Sequence, residues 1–185
     1  ARWGRGLCPK DYIRYRVTGE LGTEETDASG TLAYDMKGQS WSDEILKKLS
    51  IDRALFPEAI HLSYDVAGGV IGEAARETGL PAGTPVVFGG GDQAMHSLGN
   101  GVYRKGVITA TIGTSGQALC VSDNPVYNPK VNTHTMRHVE AGTWYGMGAM
   151  LNAGIDFNWF RRTLAADLGY PQVDEIAAAA PPCCN

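Results

Sequence analysis

The stretch that most restricts the fold is "PVVFGGGDQAMHSLGNG", residues 85–101. A short apolar run, Val86–Phe88, stops at three glycines; an acid follows, then a stretch of small and apolar residues. Strand, turn and helix in that order is the building unit of α/β proteins, whose ligands gather at the carboxyl ends of the strands. The pattern predicts a buried strand over 86–88 and a helix that begins near Asp92. Its carboxylate then lies by the positive end of the helix dipole, where it is expected to stay ionised. The glycines leave room for a ligand to approach the backbone. An ionised acid in that place can take the proton of a hydroxyl, or it can simply cap the helix.

A second glycine turn follows. "TIGTSG", residues 111–116, joins two β-branched runs, 107–112 and 117–122, and reads as a hairpin. Gly113, Thr114, Ser115 and Gly116 offer backbone N–H groups and two hydroxyls without negative charge, a nest that suits phosphate oxygens. An ordinary hairpin turn is the alternative, and its glycines are expected to need positive φ or close approach. An acid that orients a hydroxyl and a turn that holds phosphate together describe phosphoryl transfer. P-loop chemistry is excluded, because no G-x-x-x-x-G-K-[ST] occurs.

Around these turns the chain reads as mixed α/β. Pro9 starts a helix over 9–18 that Gly19 stops, with Tyr12, Ile13 and Tyr15 as its large residues. "TDASGT", 26–31, has the composition of a polar loop. Ser42 or Ser40 caps a helix over 43–49, and Gly79 ends another over 72–79. "HTMRHV" and "TWYGMGAM" form a second hairpin. The run 152–169 predicts one partly buried helix through Ile155, Phe157, Trp159, Phe160 and Leu164, stopped by Gly169. A shift in composition near Arg104–Gly106 marks a domain boundary. Trp41, Trp144 and Trp159 read as packing anchors, and Asp27 and Asp35 as turn caps. Among the histidines only His134 and His138 share a spacing, which places them on one face of a strand; a metal pair or an ordinary cross-strand role both fit.

A net charge of −4 without a basic stripe argues against nucleic acid as a partner. No apolar stretch approaches the roughly 20 residues of a membrane helix, so no membrane partner is expected. Cys8, Cys120, Cys183 and Cys184 have no zinc spacing; Cys8 and Cys120 read as buried free thiols, and a reducing, cytoplasmic setting is expected. The chain opens on "ARWGRG" and closes on "PPCCN", and reads as a central piece of a longer protein.

"KDYIRYRVTGE", "TDASGTLAYDMKGQSWSDEILKKLSID", "PVVFGGGDQA", the two glycine turns and "GAMLNAGIDFNWFRR" together resemble the FGGY family of carbohydrate kinases, over nearly the whole chain. The resemblance is strongest to members that convert D-xylulose to D-xylulose 5-phosphate, with ribulose, gluconate or glycerol as alternative substrates. It implies a partial actin-like ATPase, ribonuclease H-like α/β fold. Residues 1–106 would be the C-terminal part of the sugar-binding domain, and 107–185 the beginning of the nucleotide-binding domain. It implies ATP and Mg2+, with sugar and ATP as partners; strand edges and apolar faces left uncovered in the piece are expected to drive self-association, with a homodimer as one form. By the same resemblance Asp92 matches the catalytic base and also contacts the sugar, Gln93 contacts substrate hydroxyls, and Gly113 and Thr114 touch the ATP phosphates. Gly154 and Asn158 match positions near the nucleotide, Asn158 standing where some members have Gln. No residue of this stretch matches a metal ligand of the family. A non-catalytic actin-like protein that binds sugar or nucleotide is the other class of function that the fold supports.

Overall fold

The structure is a computed structural model that describes residues 4–130 and 132–181. Cys183 and Cys184 lie outside the described residues. Helix α1 (Pro9–Thr18) starts at its proline, and Gly19 closes it in the left-handed conformation, donating to the Tyr15 carbonyl at 2.7 Å. The face it buries is polar. Asp11 and Arg14 are buried, whereas Tyr12 and Ile13 are exposed. Asp11 accepts from Arg14 at 3.2 Å and from the Thr23 hydroxyl at 2.7 Å, and Arg14 reaches the Gly22 carbonyl at 2.6 Å. Burying these charges is tolerable because each is paired.

Strand β1 (Thr23–Glu24) leads directly into α2 (Glu25–Gly30), where the sequence reading expected a loop. The reason is an unusual cap: the carboxylate of Glu24 accepts the N–H groups of Thr26 and Asp27 at 2.8 and 2.9 Å. A hairpin of β2 (Tyr34–Asp35) and β3 (Ser40–Trp41) follows, and Asp35 accepts Lys37 N–H within it as a turn cap. Helix α3 (Asp43–Lys48) is capped by Ser42. Ala28, Ala33, Tyr34, Trp41 and Leu46 form one apolar core, with Phe56 packed against Trp41. Truncating a buried leucine such as Leu46 to alanine typically costs about 2–5 kcal/mol.

Strand β4 (Ile60–His61) pairs parallel with β1. Strand β5 (Val66–Gly69), helix α4 (Gly72–Thr78) and strand β6 (Pro85–Val87) come next, with β6 antiparallel to β5. The expected buried strand is therefore one edge of a two-stranded ribbon. Val87 is exposed and only Phe88, just past the strand, is buried. Helix α5 spans Asp92–Gly99.

Strands β7 (Ile108–Ile112), β8 (Gly116–Ser122), β9 (His134–Arg137) and β10 (Trp144–Met150) form a sheet in the order β7-β8-β10-β9, so both expected hairpins are present. Helix α6 (Gly154–Leu164) ends at Ala165, and a separate α7 (Tyr170–Ala178) follows. The single helix expected over 152–169 is present but ends at Leu164, and Gly169 is not its stop but the N-cap of α7. No residue of α6 is buried, and Trp159 is exposed, not an anchor. Cys8 is half-buried and Cys120 exposed; both are free.

The chain divides into two compact units. One takes in residues up to Thr109 and Leu119–Gly146; the other comprises Ala110–Ala118 and the chain from Met147. Among the described residues no helix is long and apolar enough to cross a membrane.

Candidate active site

Asp92 is the first residue of α5 and is exposed. The cap position is held by Gly91, and no side chain caps the helix. A capping acid precedes its helix and accepts from the second or third helical N–H; Asp92 lies inside the helix. Its Oδ1 accepts the N–H of Gln93 at 2.7 Å. That leaves Oδ2 able to accept from an incoming group. Gln93, half-buried, is the next residue along the same helix.

The turn before Asp92 is fixed residue by residue. Phe88 donates to the Asp65 carbonyl at 3.0 Å, and its own carbonyl accepts from Lys10 Nζ at 3.3 Å. Gly89, at φ +74°, donates to the Ser63 carbonyl at 2.9 Å, and Gly91 donates to Thr26 Oγ1 at 2.7 Å. A Cβ on Gly90 would lie 3.0 Å from Thr26 Oγ1 and 3.2 Å from Ser63 Oγ; on Gly91 it would lie 3.0 Å from Asp27 Oδ1. The space left by these glycines is taken by the protein's own side chains, Met95 Cε coming nearest to a Cβ on Gly90 at 2.5 Å, and is not held open for a ligand as the sequence suggested.

Behind the turn lies a buried ionic cluster. Glu24, fully buried, accepts from the hydroxyls of Thr26 and Ser63 as well as from the α2 amides. Lys10 Nζ lies 2.8 Å from Asp11, 3.3 Å from Asp27 and 3.5 Å from Glu24. Burial pulls the Lys10 ammonium down, but the hydrogen bond to Asp11 and the surrounding carboxylates outweigh it and leave it raised. Burial pushes Asp27 up, with Lys10 opposing and the charge of Glu24 adding to the rise. Burial, then the charges of Asp27 and Asp11, push the Cys8 thiol up to about 11, so it stays protonated. Tyr145, buried, is raised by burial and by the charges of Asp92, Asp27 and Glu24. Cys8, Asp11 and Asp27 have ligand atoms within 4.8 Å of one another, but the Lys10 ammonium already supplies their positive charge. Asp27 is therefore part of this cluster and not a simple turn cap. Sequence reasoning missed Lys10, Glu24, Thr26 and Ser63; the doubled acids of "TEETD" are the one local sign of a buried carboxylate.

His138 is buried and lies 3.1 Å from Ser97 Oγ on α5, while His134 is exposed. They do not form a metal pair.

The second unit has its own site. Gly113, Thr114, Gly154, Ile155 and Asn158 line one cavity of about 420 Å³, which brings together four residues that the sequence singled out. Ala153 donates to the Thr114 carbonyl at 2.9 Å and Gly154 to the Gly113 carbonyl at 2.8 Å, so the start of α6 rests on the hairpin turn. A Cβ on Gly154 would lie 2.6 Å from the Gly113 oxygen, and one on Gly116 would lie 2.7 Å from Met150 Cε. Neither Gly113 nor Gly116 has positive φ. Close approach to backbone demands glycine at 154, whereas at 116 the neighbour is the flexible end of Met150. The Thr114 side chain is exposed, and Asn158 Oδ1 accepts from the Tyr170 hydroxyl. A hydroxyl, an amide and a helix N-terminus fit phosphate or nucleotide oxygens. No carboxylate lines the cavity, so it offers no ligand set for magnesium. Asp92 and Gln93 belong to the first unit.

Over residues 2–99 the chain matches the N-terminal domain of the FGGY family of carbohydrate kinases. It is 34% identical to a xylulose kinase of Bacillus subtilis (strain 168) over 175 residues, 95% of this chain and 35% of that protein. A solved xylulose kinase from Rhodospirillum rubrum superposes with a TM-score of 0.88 at 27% identity, covering 97% of this chain and 37% of that one. A gluconate kinase from Lactobacillus acidophilus gives the same TM-score and identity over 96% of this chain and 36% of its own. The chain spans about a third of the length of the curated relatives it matches.

Proposed function

Because the chain belongs to the FGGY family of carbohydrate kinases, and so has a partial actin-like ATPase fold, we propose that the full-length protein phosphorylates a sugar hydroxyl with ATP. The observation that carries the reading is Asp92, an exposed acid with one oxygen fixed by Gln93 N–H, on a turn that its surroundings hold rigidly. In the proposed step Asp92 Oδ2 accepts the proton of the sugar hydroxyl. The hydroxyl oxygen forms a bond to the γ-phosphorus while the bond to the bridging oxygen breaks, and ADP leaves. Positioning and charge stabilisation carry most of such a reaction. Gln93 contributes contacts to substrate hydroxyls. Gly113, Thr114, Gly154 and Asn158 hold the phosphates and nearby parts of ATP, a role that their common cavity supports. Magnesium, when bound, would neutralise phosphate charge. The family match over 2–99 supports reading 1–106 as the end of the sugar domain; 107–185 is proposed as the start of the nucleotide domain on the resemblance alone. The free Cys8 and Cys120 suit a reducing, cytoplasmic setting.

D-xylulose is the proposed substrate, on the likeness to several xylulose kinases; the likeness to a gluconate kinase makes gluconate the second candidate. Sugar-dependent ADP release by the full-length protein tests both. The expected order is D-xylulose first by kcat/KM; a higher value for gluconate, ribulose or glycerol overturns the substrate, and no release with any sugar overturns the kinase reading.

A further inference from the structure

We propose that Thr26 is a positioning residue for Asp92, its hydroxyl fixing the glycine turn that aims the carboxylate. The inference rests on the reading of Asp92 as the base. Three consecutive glycines, 89–91, have no side chains with which to hold themselves, and glycine loses more backbone freedom on ordering than any other residue. Something outside the turn must fix it. The last contact before Asp92 is the Gly91 N–H, 2.7 Å from Thr26 Oγ1.

The polarity of that contact is forced. Thr26 has one hydroxyl proton, and it lies between the two oxygens of Glu24 at 2.9 and 2.8 Å. Glu24 accepts there, so the Thr26 oxygen presents its lone pairs to Gly91. Glu24 cannot turn away, because the amides of Thr26 and Asp27 and the Ser63 hydroxyl occupy the same carboxylate. Its side chain is fully buried, and such charge-assisted bonds are the strong ones. Glu24 thus orients Thr26, Thr26 orients Gly91, and the following residue is Asp92. The Thr26 hydroxyl bonds the Gly91 N–H and not the Asp92 carboxylate, so it acts through the backbone.

A misplacement of about 1 Å at a reacting group costs on the order of 100-fold in rate. The test compares Thr26→Val, Thr26→Ala, Thr26→Ser and Asp92→Asn in the full-length protein, with D-xylulose and the other sugars of the panel, measuring kcat, sugar KM and melting temperature. Valine keeps the shape and removes the acceptor; alanine covers the case in which valine fails to fold. The expected result is a kcat lowered about 10- to 100-fold in both, with sugar KM within about threefold and with serine, which keeps the acceptor, restored to near the wild-type kcat. A merely structural role predicts kcat falling in step with melting temperature, whichever residue is introduced, and would overturn the proposal. So would a normal kcat in Thr26→Val beside a collapsed Asp92→Asn, which leaves the base reading intact. A normal kcat in Asp92→Asn removes the base reading and this proposal with it.

Discussion

The turn at Phe88–Asp92 and the turn at Gly113–Ser115 are both glycine-rich, and they are held in opposite ways. The first is clamped by the side chains of Lys10 and Thr26 together with the backbone carbonyls of Ser63 and Asp65, with a buried carboxylate behind them. The second is held by backbone alone, through the amides of Ala153 and Gly154, and its lining is uncharged. The difference follows from the tasks proposed for them. A base must present one oxygen in one direction, which needs fixed surroundings. A phosphate has several equivalent oxygens and can be met by whichever N–H and hydroxyl groups a turn exposes.

The sharpest way to break this contrast is Asp92→Asn in the full-length protein. Turnover is expected to fall by roughly 10²–10⁴, with sugar binding changed far less, in initial-rate and calorimetric measurements. A comparable fall in sugar affinity would make Asp92 a binding group instead.

Next comes Gly154→Val. Its Cβ would lie 2.6 Å from the Gly113 oxygen, a backbone atom that cannot swing aside. Forcing such contact typically costs about 1–3 kcal/mol, and the ATP KM is expected to rise about tenfold or more with sugar KM unaltered. Thr114→Ala is the milder version. It removes one exposed hydroxyl, worth about 0.5–1.5 kcal/mol as a hydrogen bond, so a rise of a few-fold in ATP KM is expected.

The smallest effect concerns pH. Burial holds the imidazole of His138 below its ordinary value, against the opposing pull of the Val102 carbonyl and Glu140. The folded state therefore binds fewer protons there than the unfolded state does. Stability from this group is present above the unfolded value of about 6.5 and is lost as pH falls through the lower folded value. The fluorescence of the buried Trp41 and Trp144, followed in denaturant, is expected to show a lower midpoint at pH 5 than at pH 7. His138→Gln should flatten part of that slope. The second unit contains no histidine, so its unfolding should not follow the same curve.

What could be read from the sequence was local. Pro9, Gly19, Ser42 and Gly79 act within one turn of their helices, and each does what its chemistry dictates. Both hairpins followed from β-branched runs around small turns. Helix α2 was missed because its cap is a glutamate, whose carboxylate is fixed by Ser63, 39 residues away. The apolar side of α6 has the right spacing for a buried face yet lies exposed, since periodicity reports a stripe and not what covers it. The grouping of Gly113 and Thr114 with Gly154 and Asn158 came from resemblance; their spacing alone does not bring them together. The partners of the Asp92 turn were beyond any local rule.

The bond between Thr26 and Gly91 closes a loop of 65 residues. Chain entropy for a loop of that length is on the order of 4 kcal/mol, more than the roughly 1 kcal/mol that one hydrogen bond returns on net. It can therefore persist only as part of the same cooperative event that pairs β1 with β4 and stacks His61 on Phe88. The Gly91 amide should then exchange with deuterium only when the first unit unfolds as a whole. On a ribosome, residues 23–63 emerge before residue 91, so the mould for the Asp92 turn is synthesised before the turn that is cast in it.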